Sequence, residues 1–201
     1  MSDVEEKTAK KWSSDHVFTS PEEVRAFHQY MNTPEGFVDA YIKNDIELCH
    51  YNRQYVAVTK LIYSGIDICA NLLLPDGQEA KQGGFEIWVK RFMDFKSVNA
   101  PTPTDLWVAR CGLLHAHSPV DTRNRQHPSI ISYSYAGNVE PPIINRLPKG
   151  GPTGEDMIYL PVNVLKDVFF SGIDTFVSKH RKAIKRTLVG FYPYFDFREV
   201  Q

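Results

Sequence analysis

The sequence predicts a mainly α-helical protein, an antiparallel helical bundle with a small β-hairpin inserted before its last long helix. Three observations predict it. Apolar residues recur at helical spacing through successive stretches between residues 20 and 118, and again after residue 161. Connections between the early stretches are short, which favours antiparallel neighbours. Strand-like residues are confined to 129–135 (SIISYSY) and 157–160, just ahead of the final helix. The chain divides into a polar arm at 1–19 and one helical domain at 20–201. Within that domain lie a helical core at 20–118, a strand and loop insertion at 119–160, and a C-terminal helix at 161–188.

Each element has a local reason. In the arm, Trp12, Val17 and Phe18 are the docking points. Ser20-Pro21-Glu22-Glu23 reads as a capping box with proline at the first helical position, and Val24, Phe27, His28 and Met31 follow at helical spacing. Thr33-Pro34 repeats the start signal. Phe37, Val38, Tyr41, Ile42, Leu48 and Cys49 then form one stripe, with Tyr51-Asn52 as a break or a continuation. Across 53–74, Val58, Leu61, Ile62, Gly65, Ile68, Cys69 and Leu72 keep a 3.6-residue period. The length favours a helix over the strand that Val56, Val58 and Thr59 would permit. Pro75-Asp76-Gly77 closes it as a turn. Residues 85–95 carry Phe85, Trp88, Val89 and Phe92 on one side. Thr102 then caps a further helix, with Pro103 at its first position, Asp105 closing a capping box, and Leu106, Trp107, Ala109, Leu113 and Leu114 as its apolar surface. Beyond residue 118 the chain turns polar. Residues 137–154 hold four prolines and four glycines and read as a long loop. Residues 157–160 are the second hairpin arm. Val162, Leu165, Phe169, Ile173, Phe176, His180 and Ile184 give the stripe of the last helix, and the aromatic end GFYPYFDFREV lies on the core.

Composition narrows the class. The 201 residues are 42% hydrophobic, enough for a real core. No apolar run approaches the roughly 18 residues of a membrane span, and the N-terminus carries no secretory signal, so a cytoplasmic protein is expected. Cys49, Cys69 and Cys111 are far apart and lie in apolar contexts, as free thiols do in a reducing compartment. Net charge is −1, yet residues 1–50 carry ten Asp/Glu against five Lys/Arg, and residues 175–195 carry Lys179, Arg181, Lys182, Lys185 and Arg186 with no acid. That basic run suits an anionic partner, and equally a solvated helix end that complements the helix dipole.

The chemistry-bearing stretch is 102–118, TPTDLWVARCGLLHAHS, with Arg110, His115 and His117 near its end. On a straight helix His117 lies about 20° from Arg110, on the same face. His115 lies about 140° round, and would meet Arg110 only if the helix frays or a second subunit supplies the partner. Histidine can accept or donate a proton near neutrality, and an arginine fork matches two phosphate oxygens. The plainer role for both is capping and local ion pairing. The His-x-His pair lacks a nearby acid, so neither a metal nor another cofactor is expected. Asp45, Glu47, His50, Asn52 and Arg53 crowd another helix end and read as a solvated face or as further lining of the same cleft. Arg123, Arg125 and His127 follow the motif in a loop suited to an RNA backbone or simply to water. GGPTG lacks the lysine and helix of a phosphate loop.

A helical bundle whose late helix carries Arg-x4–6-His resembles the HEPN superfamily, helical domains of prokaryotic toxins, defence proteins and RNA-processing enzymes. The resemblance rests on Arg110, His115 and His117 and on the layout of residues 20–118, about half of the chain. It implies a homodimer whose two motifs line one cleft, and metal-independent cleavage of RNA. Arg110 would hold the phosphate and His115 would do acid–base work, with His117 as the rival. Arg123, Arg125, Lys179, Arg181, Lys182, Lys185 and Arg186 would contact RNA, and an antitoxin or other operon protein would be a partner. The family carries Asn, Asp or His directly after the arginine, whereas this chain has Cys111, a departure that bears on catalysis more than on fold. The alternative is an inactive HEPN-like binding or scaffold module for RNA or a protein.

Overall fold

A computed structural model describes residues 19–31, 33–74, 78–115, 129–134, 144–151 and 154–191. The expected N-terminal docking points, the turn at Pro75–Gly77, and the aromatic C-terminal end lie outside the described residues. The chain is mainly helical, with a small three-stranded mixed sheet.

Helix α1 (Pro21–Met31) starts where expected. The Glu23 amide donates to Ser20 Oγ at 3.2 Å, and the Glu23 carboxylate accepts from the Thr19 amide at 2.8 Å. Helix α2 (Pro34–Val38) is capped by Thr33, whose Oγ1 accepts from the Gly36 amide at 3.1 Å. A π-helical stretch (Asp39–Lys43) joins it to α3 (Asn44–Tyr51), and Val38, Ile42 and Ile46 stay buried through the change of winding. Tyr51-Asn52 is a break. Asn52 folds its side chain back to the Leu48 carbonyl, Arg53 takes φ 58°, and the chain reverses into α4 (Tyr55–Asn71).

Helix α4 is central and packs against α3, α5 (Gln82–Phe92), α6 (Pro103–His115) and α7 (Val162–Phe191). Its buried face is Val58, Ile62, Tyr63, Ile66, Cys69 and Ala70, slightly rotated from the predicted stripe, since Ile68 is exposed. Gly65 admits α7 closely: a Cβ there would sit 2.7 Å from Cζ of Phe169. Trp88 and Phe92 of α5 meet Phe169 and Phe176 of α7 in an aromatic layer with ring centroids 5.3–5.9 Å apart, while Phe85 packs against Tyr63 and Trp107. Burying each such ring contributes about 1.5–3 kcal/mol. The α6 capping box forms as predicted. The Asp105 amide donates to Thr102 Oγ1 at 3.1 Å, and the Thr102 amide donates to Asp105 Oδ2 at 2.7 Å.

The expected hairpin between 129–135 and 157–160 is replaced by a different pairing. Strand β1 (Ser129–Ser134) runs parallel to β3 (Asp156–Pro161), in register Ser129 to Asp156. The antiparallel partner of β3 is β2 (Asn145–Leu147), which lies inside the stretch read as loop. Parallel strands need a long crossover, and the segment between β1 and β3 supplies it. Arg146 of β2 ties the sheet to α6, reaching Ser129 and Asp156 at 3.3 Å and Asp105 at 3.7 Å. Helix α7 follows β3 directly. It buries the predicted stripe of Val162, Leu165, Phe169, Ile173, Phe176 and Ile184 and leaves helical geometry at His180.

Candidate functional site

The site forms where the last turns of α6 meet α4. Arg110 projects from α6 with its guanidinium 5.0 Å from the ring centroid of Trp107, one turn earlier. Trp107 is itself braced edge-on by Phe85 at 5.3 Å. Stacking on an indole and a carboxylate in reach fix a planar cation in one orientation. The carboxylate is Asp67 of α4: its Oδ2 accepts from Arg110 Nε at 3.0 Å and from Nη2 at 2.7 Å. Both side chains are about four-fifths buried, at 18% and 19% exposed. The remaining nitrogen, Nη1, lies 3.1 Å from Nε2 of His115, at the exposed end of α6, and 4.0 Å from Cys111 Sγ.

Arg110 and His115 therefore meet on one helix of one chain. The expectation that this needs a frayed helix or a second subunit is corrected. Five residues rise only about 7.5 Å along a helix, which an extended arginine side chain spans.

The electrostatics follow from the geometry. Burial pushes the Asp67 carboxyl above its ordinary value, and the hydrogen bonds and charge of Arg110 pull it only partly back. Burial also works against the Arg110 guanidinium, but the bonds to Asp67 outweigh it, so Arg110 holds its proton more firmly than usual. The two partners pull in opposite directions on one contact. The ion pair is the state that stands, because a guanidinium does not give up its proton in a protein. Asp67 Oδ1 is buried and has no hydrogen-bond partner among the described residues. Arg110 Nη1 donates to His115 Nε2 in the tautomer that leaves a lone pair on that nitrogen.

Asp67 was not among the sequence candidates. Its only signal is an acid within the most apolar helix, in SGIDICAN, and its partner stands 43 residues away. Cys49 and Cys111 are half-buried and Cys69 is buried; all three are free thiols. Of the second polar group, Glu47 pairs with Lys166 at 3.0 Å, His50 lies edge-on to Tyr55, Asn52 caps α3, and Asp45 is exposed; none reaches Arg110. His117, Arg123, Arg125 and His127 lie outside the described residues. Lys179 and Lys182 are exposed on α7, whereas Arg181 pairs with Glu35 at 3.3 Å. Lys185 and Arg186 continue α7, with side chains outside the described set. Among the described residues no three His, Cys, Asp or Glu side chains are grouped to hold a metal ion, and no helix is long and apolar enough to cross a membrane.

An arginine fixed by a carboxylate and an indole, with an imidazole at its third nitrogen, can orient an oxyanion and exchange a proton beside it. No family model, characterised protein or solved structure matches the chain.

Proposed function

We propose that this protein is a HEPN-like, metal-independent endoribonuclease of toxin or defence type. In this reading it is cytoplasmic and homodimeric, an antiparallel bundle in which Arg110 and His115 of two copies line one shared cleft. The observation that carries the proposal is the 3.1 Å approach of Arg110 Nη1 to His115 Nε2, with Asp67 aiming the guanidinium. In the reaction the 2′-oxygen attacks the adjacent phosphorus and the bond to the 5′-oxygen breaks. One imidazole takes the 2′-hydroxyl proton, and a protonated imidazole returns a proton to the leaving 5′-oxygen. Arg110 holds the non-bridging oxygens as negative charge builds on them. His117 is the rival for the proton role. Arg123, Arg125 and the basic end of α7 (Lys179, Arg181, Lys182, Lys185 and Arg186) would track the RNA backbone. An antitoxin or operon protein would cover the cleft.

The test is RNA cleavage by the purified protein in EDTA. The wild type is expected to cut, and His115→Ala and Arg110→Ala to lose about 10²–10⁴-fold. No cleavage by the wild type, or equal cleavage by both variants, would sink the catalytic reading.

A second reading is an inactive HEPN-like binding or scaffold module for RNA or a partner protein. One feature favours it: Asp67 already occupies two Arg110 nitrogens and cancels its charge, which leaves less for a phosphate. Cys111, where the family carries a polar residue, points the same way. Salt-sensitive RNA binding without cleavage is its signature.

A further inference from the structure

We propose that the junction of α5 and α7 around His180 is a separate contact for the phosphodiester backbone of RNA, made by Arg91, Lys179 and Lys182, and that it takes up a proton when the anion binds. The proposal rests on the RNA reading above and alters its cast: Arg91 joins the surface and Arg181 leaves it.

Three observations carry it. First, α7 leaves helical geometry at His180, with φ −120° and ψ 17°, and the imidazole packs edge-on to Phe92 of α5 at 5.9 Å and against Phe176 at 5.4 Å. That contact brings Arg91, the neighbour of Phe92, to the same place as Lys179, the neighbour of His180. Second, these cations have no carboxylate partner among the described residues, although the Arg91 guanidinium also lies 5.8 Å from the centroid of the Phe92 ring. Lys43, Lys166, Arg110, Arg146 and Arg181 each reach a carboxylate. Arg91, Lys179 and Lys182 are exposed and have no ion pair among the described residues. Third, the groups that act on His180 are of one sign. Arg91 faces it from α5 and Lys179 from its own helix, while Glu35 of α2, which also packs on α7, is taken by Arg181. Burial first, then those two cations, hold the imidazole below its ordinary value, and no carboxylate offsets them.

The linkage has a definite sign. A bound phosphate cancels the field of Arg91 and Lys179, so the imidazole binds a proton more readily in the complex than in the free protein. Affinity therefore rises as pH falls below about 6.5, the ordinary imidazole value. An RNA backbone fits better than a protein partner. Protein interfaces place apolar and aromatic side chains at their centre and deplete charge there; among the described residues of α5 and α7, Ile87 is the one exposed large apolar side chain, set among charged neighbours.

The experiment is fluorescence anisotropy of a labelled 2′-O-methyl oligonucleotide, which cannot be cleaved, against the full chain at pH 7.5 and 6.0 across a salt series. The wild type is expected to bind several-fold tighter at pH 6.0. Arg91→Ala/Lys179→Ala is expected to lose at least tenfold in affinity and to flatten the salt slope by about one to two. His180→Asn should match the wild type at pH 7.5 and lose the tightening at pH 6.0, with circular dichroism confirming that each variant is folded. Unchanged affinity and slope in the double variant overturn the surface. An unchanged pH response in His180→Asn overturns the proton uptake. Tighter binding of polyglutamate than of the oligonucleotide overturns the RNA assignment in favour of an acidic protein. Cleavage plays no part in these readouts, so failure of the Arg110–His115 chemistry would leave them standing.

Discussion

Arg110 reaches Asp67 through two nitrogens and His115 through the third, so a substitution at any of the three changes what the other two meet. Arg110→Ala leaves the Asp67 carboxylate buried with no donor on either oxygen, at a cost of about 1–3 kcal/mol. Asp67→Ala strands a largely buried guanidinium at a comparable cost. Because each single change forfeits the same contact, the double variant should lose less than the sum, with a coupling of about 0.5–3 kcal/mol by urea denaturation. A coupling near zero would show that the pair is not held in solution. The pH dependence has a sign as well. Burial raises Asp67 above 3.8 in the folded chain, and losing Arg110 raises it further. Between 3.8 and the raised value the folded chain binds the proton and the unfolded chain does not, so stability rises as pH falls through that window. The Arg110→Ala deficit should therefore shrink toward acid pH. The sequence held Arg110 and His115 in plain view and hid Asp67. A motif marks residues near one another in the chain, and nothing local marks an acid that serves a partner on another helix.

Among the elements, α4 and α7 show how much rests on the absence of a single side chain. At Gly65 an added Cβ would meet Phe169 Cζ at 2.7 Å and Ile42 Cγ2 at 3.0 Å, both in the buried core, where neither can step aside cheaply. Gly65→Ala should destabilise the protein by about 1–3 kcal/mol through overpacking. Gly83, in the first turn of α5, has nothing within 4 Å of its added Cβ. Gly83→Ala should be neutral or stabilising by up to about 1 kcal/mol, since alanine is the better helix former. Thermal melts of the two variants side by side decide this, and equal shifts would contradict the close α4–α7 approach. The caps of α2 and α6 and the stripes of α5 and α7 were legible in the sequence, because capping and 3.6-residue periodicity act over a few residues. The π-helical winding between α2 and α3, and the non-helical backbone at His180, were not. Each interrupts a helix whose pattern continues through it.

For the molecule as a whole, the shared-cleft reading makes a claim about mass. The 23.0 kDa chain is expected to run as a dimer in size-exclusion chromatography with light scattering at micromolar concentration, with Arg110→Ala unchanged in mass. A monomer throughout would remove the two-copy cleft while leaving the Arg110–His115 contact, which forms within one chain. That contact needs no partner, so dimerisation bears on how two sites combine rather than on whether one exists. The sequence by itself determined the mainly helical character, the start of α6 at Thr102, and the placement of arginine and histidine at one helix end. Each of those follows from side chains acting on backbone a few residues away. Only the tertiary structure decided that β1 and β3 run parallel with β2 beyond them, that Arg146 joins the sheet to α6, and that Asp67 orients Arg110. Those outcomes depend on which buried faces meet across the chain, and hydrophobic burial drives faces together without regard to their order in sequence.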